Sequence, residues 1–232
     1  MALKFDSNFE SGNLDLAALT NSHRNDEYDL LIRLDSNSRT HQQWYYFSVD
    51  ATNKGAYRNF KVRLNILNFT KPRSMYQQGM KPLIWSQRLY QDKGIGWHAG
   101  GEDIQYHRSR LKRYNYRNPC QCLSFDYTFH YDDDKVYFAY AVPYTFSMLQ
   151  SFIKRIEEVQ QMNTESPILE CSTAGQTLSG VAVPLLTITD FKSEKPKKTV
   201  LINARVHPGE THASWVLHGV IRFLLSKSYL AR

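Results

Sequence analysis

From Tyr28 to about Val142 the chain carries short runs of β-branched and aromatic residues in which apolar and polar positions alternate, separated by turn-forming clusters. The clearest runs are Tyr28–Leu34, Gln43–Val49, Phe60–Leu67, Leu123–Tyr131 and Val136–Val142. In Tyr28-Asp-Leu-Leu-Ile-Arg-Leu and Phe60-Lys-Val-Arg-Leu-Asn-Ile-Leu a period of two predicts strands with one face buried. Thr52-Asn53-Lys54-Gly55 reads as a turn, and Asp132-Asp133-Asp134-Lys135 as a hairpin loop between the last two strands. Several strands at this spacing without helices between them predict a sandwich or barrel.

The period changes near Pro143. Between Tyr144 and Met162 the apolar residues Phe146, Leu149, Phe152, Ile153, Ile156 and Val159 form a helical stripe, with Lys154, Arg155, Glu157 and Glu158 facing outward. Val183–Thr189 then reads as a strand, residues 192–198 as a Lys-rich loop, and the apolar run Thr199–Val206 as a strand buried on both faces of an α/β sheet. Val216, Leu217, Val220, Ile221, Leu224 and Leu225 return at helical spacing. The expected organisation is an all-β sandwich or barrel over residues 1–142, followed by residues 143–232 as the truncated start of an α/β domain.

Composition narrows this picture. The 42% hydrophobic and 13% aromatic content suffices for real cores and excludes a disordered chain. No apolar run reaches the roughly 18 residues of a membrane span, and the first residues lack a secretory signal, so an intracellular location is expected. Three cysteines, Cys120, Cys122 and Cys171, form neither a disulfide framework nor paired zinc knuckles, which fits a reducing compartment. Cys120-Gln-Cys122 alone is read as ordinary thiols near a strand. The net charge of +7 favours an acidic partner. Its densest part, Arg108 to Arg117 with Tyr114 and Tyr116 interleaved, admits two readings: a solvated loop between strands, or a single-stranded nucleic-acid platform. The solvated loop is preferred. Trp44, Trp85, Trp97 and Trp215 are read as core or interface residues, and Ser11-Gly12-Asn13 as a turn.

The segment that carries chemistry is Asn203-Ala-Arg-Val-His207-Pro208-Gly209-Glu210-Thr-His-Ala-Ser-Trp215, at a predicted junction of strand and helix. Pro208 biases His207 toward extended backbone and Gly209 permits a sharp turn, so His207 and Glu210 can converge on one point. An imidazole and a carboxylate are ordinary zinc ligands; with a second histidine they leave one tetrahedral position for water. Taken alone, His-x-x-Glu is short, and it describes equally a turn histidine beside a helix-start carboxylate. It is not the zincin His-Glu-x-x-His.

The surrounding residues distinguish these. Ala204-Arg-Val-His-Pro-Gly-Glu-Thr211 with Ser214-Trp215 resembles the first zinc motif of the cytosolic carboxypeptidases, the tubulin-deglutamylating branch of the carboxypeptidase A type metallopeptidases. The resemblance extends through Phe9–Leu14, Gln43–Phe47, Asn68–Pro72, Ser74–Leu83, Ile95–Trp97, Pro143–Thr145 and Leu185–Thr189, in family order. It implies a β-sandwich accessory domain over residues 1–142 before a zinc carboxypeptidase domain, with His207 and Glu210 as first and second ligands of a Zn2+ ion. It further implies removal of C-terminal glutamates from acidic protein tails such as tubulin, in the cytoplasm and at microtubules or cilia. The third ligand, the substrate-holding Arg and Asn, and the general base would lie beyond Arg232, so no catalytic residue is expected within the chain. His212 and His218 are read as helix residues. A non-catalytic fragment whose β domain binds tubulin or another acidic protein is the rival reading.

Overall fold

A computed structural model describes residues 3–21, 23, 26–51, 58–111, 119–162 and 168–231. The turn expected at 52–55 and the basic stretch 112–117 lie outside the described residues. The chain separates into two units. One comprises Met1–Pro143 with His207–Gly209; the other comprises Tyr144–Val206 with Glu210–Arg232.

The first unit is the expected β-sandwich. Its strands are β1 (Lys4–Asp6), β2 (Leu16–Leu19), β3 (Glu27–Leu31), β4 (Tyr46–Ala51), β5 (Phe60–Phe69), β6 (Leu83–Ser86), β7 (His98–Ala99), β8 (Glu102–Arg108), β9 (Gln121–Phe129) and β10 (Asp134–Ala139). They form one sheet in the order β1-β4-β10-β6-β7 and another in the order β2-β3-β5-β9-β8. All pairings are antiparallel except β3 with β5, where Tyr28 stands beside Leu64. Alternate side chains of each strand meet between the sheets: Leu30, Leu64, Ile66, Leu123 and Phe125 from one, and Phe47, Val49, Ile84, Val136 and Phe138 from the other, all essentially inaccessible. The Phe138 ring stacks on Phe47 at 5.4 Å and meets Phe125 of the opposite sheet at 5.8 Å.

Two details differ from the sequence reading. Asp132–Lys135 is not a hairpin loop, because β9 and β10 lie in different sheets and the chain crosses between them there. Asp134 opens β10 as a buried residue, accepting hydrogen bonds from Ser86 Oγ at 2.6 Å and from the Arg88 amide at 3.0 Å. An acidic cluster favours a turn by composition, but a sheet corner also needs an acceptor for exposed amides. In addition, a seven-residue helix, α1 (Gln87–Lys93), interrupts the expected run of strands. Ser86 caps it by accepting from the Leu89 amide, and Gly94 ends it in the left-handed conformation at φ 67°. The outer face of the first sheet carries half-buried aromatic rings: Tyr46 packs edge-on against both Trp44 and Trp97, and Trp85 against Tyr137.

The second unit contains α2 (Phe146–Gln161), β11 (Leu169–Gln176), β12 (Ala182–Ile188) and α3 (Thr211–Leu224). Thr145 caps α2 by accepting from the Met148 amide, so the helix starts where the apolar period changes. β11 and β12 are an antiparallel pair closed by a turn with Gly180 at φ 76°. The run Thr199–Val206, expected as a doubly buried strand, joins no ladder. Val200 and Leu201 are 79% and 81% exposed. A strand of that composition needs strands on both edges and helices on both faces. Among the described elements of this unit, β11 and β12 pair only with each other.

Candidate metal centre

The chemistry-bearing segment lies on the bend that leads into α3. Arg205, just ahead of that bend, holds φ 62°. The expected turn falls at Pro208–Gly209, and Gly209 makes it without a positive φ. Nothing in sequence marks an arginine for the left-handed region, which costs an L-residue about 1–2 kcal/mol. Side-chain contacts hold it there: Arg205 Nη1 donates to the Tyr144 carbonyl at 3.1 Å and to Ser214 Oγ at 3.3 Å, joining the approach to α2 to the first turn of α3. Burial of this guanidinium lowers its pKa from the ordinary arginine value.

His207 and Pro208 follow, both exposed. Gly209 sits over the sandwich, where a Cβ on it would stand 4.0 Å from Trp44 Cβ. Trp44 is itself buried and fixed by Nε1 donating to the Ser11 carbonyl at 2.8 Å. Ser11 belongs to the expected turn, in which the Gly12 amide donates to the Phe9 carbonyl at 2.9 Å. Glu210 occupies the N-cap of α3 at φ −91°, ψ 57°, and its carboxylate accepts no capping hydrogen bond. It is exposed, and its main-chain carbonyl accepts from the Ala213 amide at 3.1 Å. The next residue, Thr211, is fully buried with its hydroxyl unpartnered.

His207 and Glu210 therefore stand three residues apart on a single bend, each with a side chain that enters no hydrogen bond or ion pair among the described residues. An imidazole and a carboxylate uncommitted to packing suit a divalent metal by donor chemistry. Among the described residues no group of three His, Cys, Asp or Glu is gathered to complete such a site. His212 is exposed in the first turn of α3. His218 serves the helix packing: its ring stacks on Phe152 at 3.7 Å and Nδ1 lies 3.0 Å from Tyr144 Oη. Burial, with the Arg222 charge, lowers its pKa. Tyr144 also meets Trp215 edge-on at 4.9 Å, so Trp215 is a packing residue of this unit.

The three cysteines are free thiols. Burial pushes Cys122 up, and Cys171 is pushed up to about 11, first by burial and then by Glu157. Cys120 is buried like Cys122. Of the basic stretch, Arg108 ends β8, Arg110 is ion-paired with Asp29, and Lys112, Arg113, Tyr114, Tyr116 and Arg117 lie outside the described residues.

Comparison with known proteins gives two family matches, to the cytosolic carboxypeptidase N-terminal domain over residues 5–141 and to zinc carboxypeptidase over residues 155–230. Among curated relatives, cytosolic carboxypeptidase 2 of Homo sapiens is 38% identical over 231 residues, which cover 97% of this chain and 24% of that protein. Cytosolic carboxypeptidase 3 of Mus musculus is 37% identical over 232 residues, covering 99% of this chain and 22% of that protein. The chain thus spans about a quarter of the length of these relatives. A metallo-carboxypeptidase from Burkholderia cenocepacia superposes with a TM-score of 0.69 at 22% identity, over 98% of this chain and 50% of that one.

Proposed function

We propose, from the premise that this chain belongs to the cytosolic carboxypeptidase family of metallocarboxypeptidases, that His207 and Glu210 are two ligands of a catalytic Zn2+ ion. The complete enzyme would remove C-terminal glutamates from acidic protein tails such as tubulin, in the cytoplasm and at microtubules or cilia. On this reading residues 1–142 are an accessory β-sandwich and residues 143–232 open the catalytic domain, a division supported by the two family matches.

The observation that carries the reading is the state of Glu210. The short carboxylate of Asp at a helix N-cap ordinarily accepts an amide of the first turn, whereas Glu is not among the preferred caps. Glu210 accepts none, and its side chain remains available, like that of His207 on the same bend. When bound, zinc would polarise a scissile carbonyl and lower the pKa of its water. The part of this chain would be to present two ligands three residues apart in sequence. Arg205 pins the bend through Tyr144 and Ser214, and Trp44 backs Gly209.

Because no third ligand is gathered among the described residues, the 232-residue chain alone is expected to lack peptidase activity. Purified chain incubated with Zn2+ and a glutamate-tailed peptide should release no glutamate; zinc-dependent release at enzymatic rates refutes this. In the longer protein, His207→Ala and Glu210→Gln should each lower zinc affinity at least tenfold by competition with a chromogenic chelator. Unchanged affinity in both variants removes the ligand assignment. The same lack of a third ligand favours one second reading, a non-catalytic chain whose β domain binds tubulin or another acidic protein.

A further inference from the structure

On the sandwich lies a pocket of about 110 Å³ that the metal reading does not use. Gln43 lines it and is the chain neighbour of Trp44, the residue against which Gly209 rests. Two cations stand at its wall, Lys71 and Arg73, both exposed. Among the described residues neither takes part in an ion pair, whereas Lys61, Arg63 and Lys135 of the same unit each have a carboxylate partner.

The segment presenting these cations is held from both sides. Tyr106 Oη donates to the Lys71 carbonyl at 2.5 Å. Ser74 begins a short turn of 3-10 helix with a reciprocal capping box, its amide donating to Gln77 Oε1 at 3.1 Å and its hydroxyl accepting from the Tyr76 amide. Pro72, between the two cations, fixes its own backbone φ near −65°. The remaining wall is amphipathic: Met75 offers exposed apolar surface over the buried Phe69, and Gln43 donates to the Tyr140 hydroxyl. A fixed pair of unpaired cations beside a small apolar surface suits a carboxylate on a short methylene stem. The guanidinium can take it in a two-pronged hydrogen bond and the ammonium as a point charge.

We propose that this pocket is a subsite for a glutamate side chain of an acidic polypeptide, with Lys71 and Arg73 holding the carboxylate and Met75 the stem. The ligand's origin in a substrate tail rests on the function proposed above; the binding itself does not require metal. The subsite would engage the tail at a position other than the residue being released, through the β-sandwich.

The test titrates the full 232-residue chain with hexaglutamate in the presence of a metal chelator, following the ¹³C-methyl resonance of Met75 among the five methionines. The expected result is a saturable shift of Met75 and not of Met148 or Met162. Affinity should fall at least tenfold in Lys71→Gln/Arg73→Gln and stay within twofold in Lys154→Gln/Arg155→Gln, which removes the same charge from the exposed face of α2. Binding should persist in His207→Ala/Glu210→Gln, so that loss of zinc affinity and loss of tail binding are read separately. The proposal is overturned if the two charge-neutralised variants weaken binding equally, if hexaglutamine binds as well as hexaglutamate, or if Met75 does not shift.

Discussion

Arg205 occupies a backbone conformation in which glycine is the ordinary choice, two residues before the proposed imidazole ligand. Its side chain offsets that cost with hydrogen bonds to the Tyr144 carbonyl and Ser214 Oγ. The two contributions can be separated by substitution. Arg205→Gly removes the hydrogen bonds but relieves the φ of 62°, whereas Arg205→Ala removes the bonds and keeps the strain. The alanine variant should therefore be less stable than the glycine variant by about 1 kcal/mol in urea unfolding, since left-handed backbone costs an L-residue that much. Equal stabilities would mean that the bend relaxes when the guanidinium is gone. At the same scale, the unpartnered hydroxyl of buried Thr211 and the uncapped Glu210 show that the first turn of α3 is not optimised for helix stability. Local departures of this kind are expected where a site makes its own demands.

Among the elements, the β9–β10 connection shows best how context overrides composition. Asp134 is placed by the corner between sheets, where Ser86 Oγ and the Arg88 amide donate to it, and burial raises its pKa above the ordinary 3.8. For a carboxyl group raised in the folded state, the stabilising contribution is fully present below pH 3.8 and is lost as pH rises through the folded value. Asp134→Asn cannot ionise, so its stability relative to the natural chain should increase between about pH 3.5 and about pH 7. Paired denaturant titrations at the two pH values check this; a constant or falling difference refutes it. The α2 and α3 pair is simpler. Phe152, Tyr144, Trp215 and His218 interlock by ring contacts, and each lies on or beside an apolar helical stripe visible in sequence.

At the scale of the whole molecule, stability and reactivity are unevenly distributed. The sandwich has a continuous core in which Phe47, Phe125, Phe129 and Phe138 are inaccessible to solvent. Phe138 touches rings of both sheets, so Phe138→Ala should destabilise the sandwich by about 3–5 kcal/mol in guanidinium unfolding followed by far-ultraviolet dichroism. A loss below about 1 kcal/mol would show that the cavity collapses and that the packing is looser than the ring contacts imply. The second unit instead exposes Val200, Leu201, Val206 and Val216 at more than 60%. No helix among the described residues is long and apolar enough to cross a membrane. The excess of basic residues is spread over the chain, and many cations of the sandwich are already matched: Lys61 and Arg63 share Asp126, with Glu102 and Asp103 alongside. Net charge alone thus says little about where an acidic partner would bind.

The alternation of apolar and polar residues was enough, by itself, to specify a sandwich or barrel, because a period of two determines which face of each strand leaves water. The helical stripe after Pro143 specified α2 in the same way. Short edge strands such as β1, β2 and β7 left little periodic trace, since a strand paired on one side buries few residues. Only the tertiary structure decided that Asp134 is a buried acceptor and that Arg205 takes left-handed backbone ahead of the bend. It also decided that the apolar run Thr199–Val206 stays outside any sheet. In each case the outcome depends on partners distant in sequence: a serine and an amide at the corner, a carbonyl and a hydroxyl for the guanidinium, flanking strands for the run. A pattern along the chain records what each segment would prefer; the groups that meet it in space determine what it adopts.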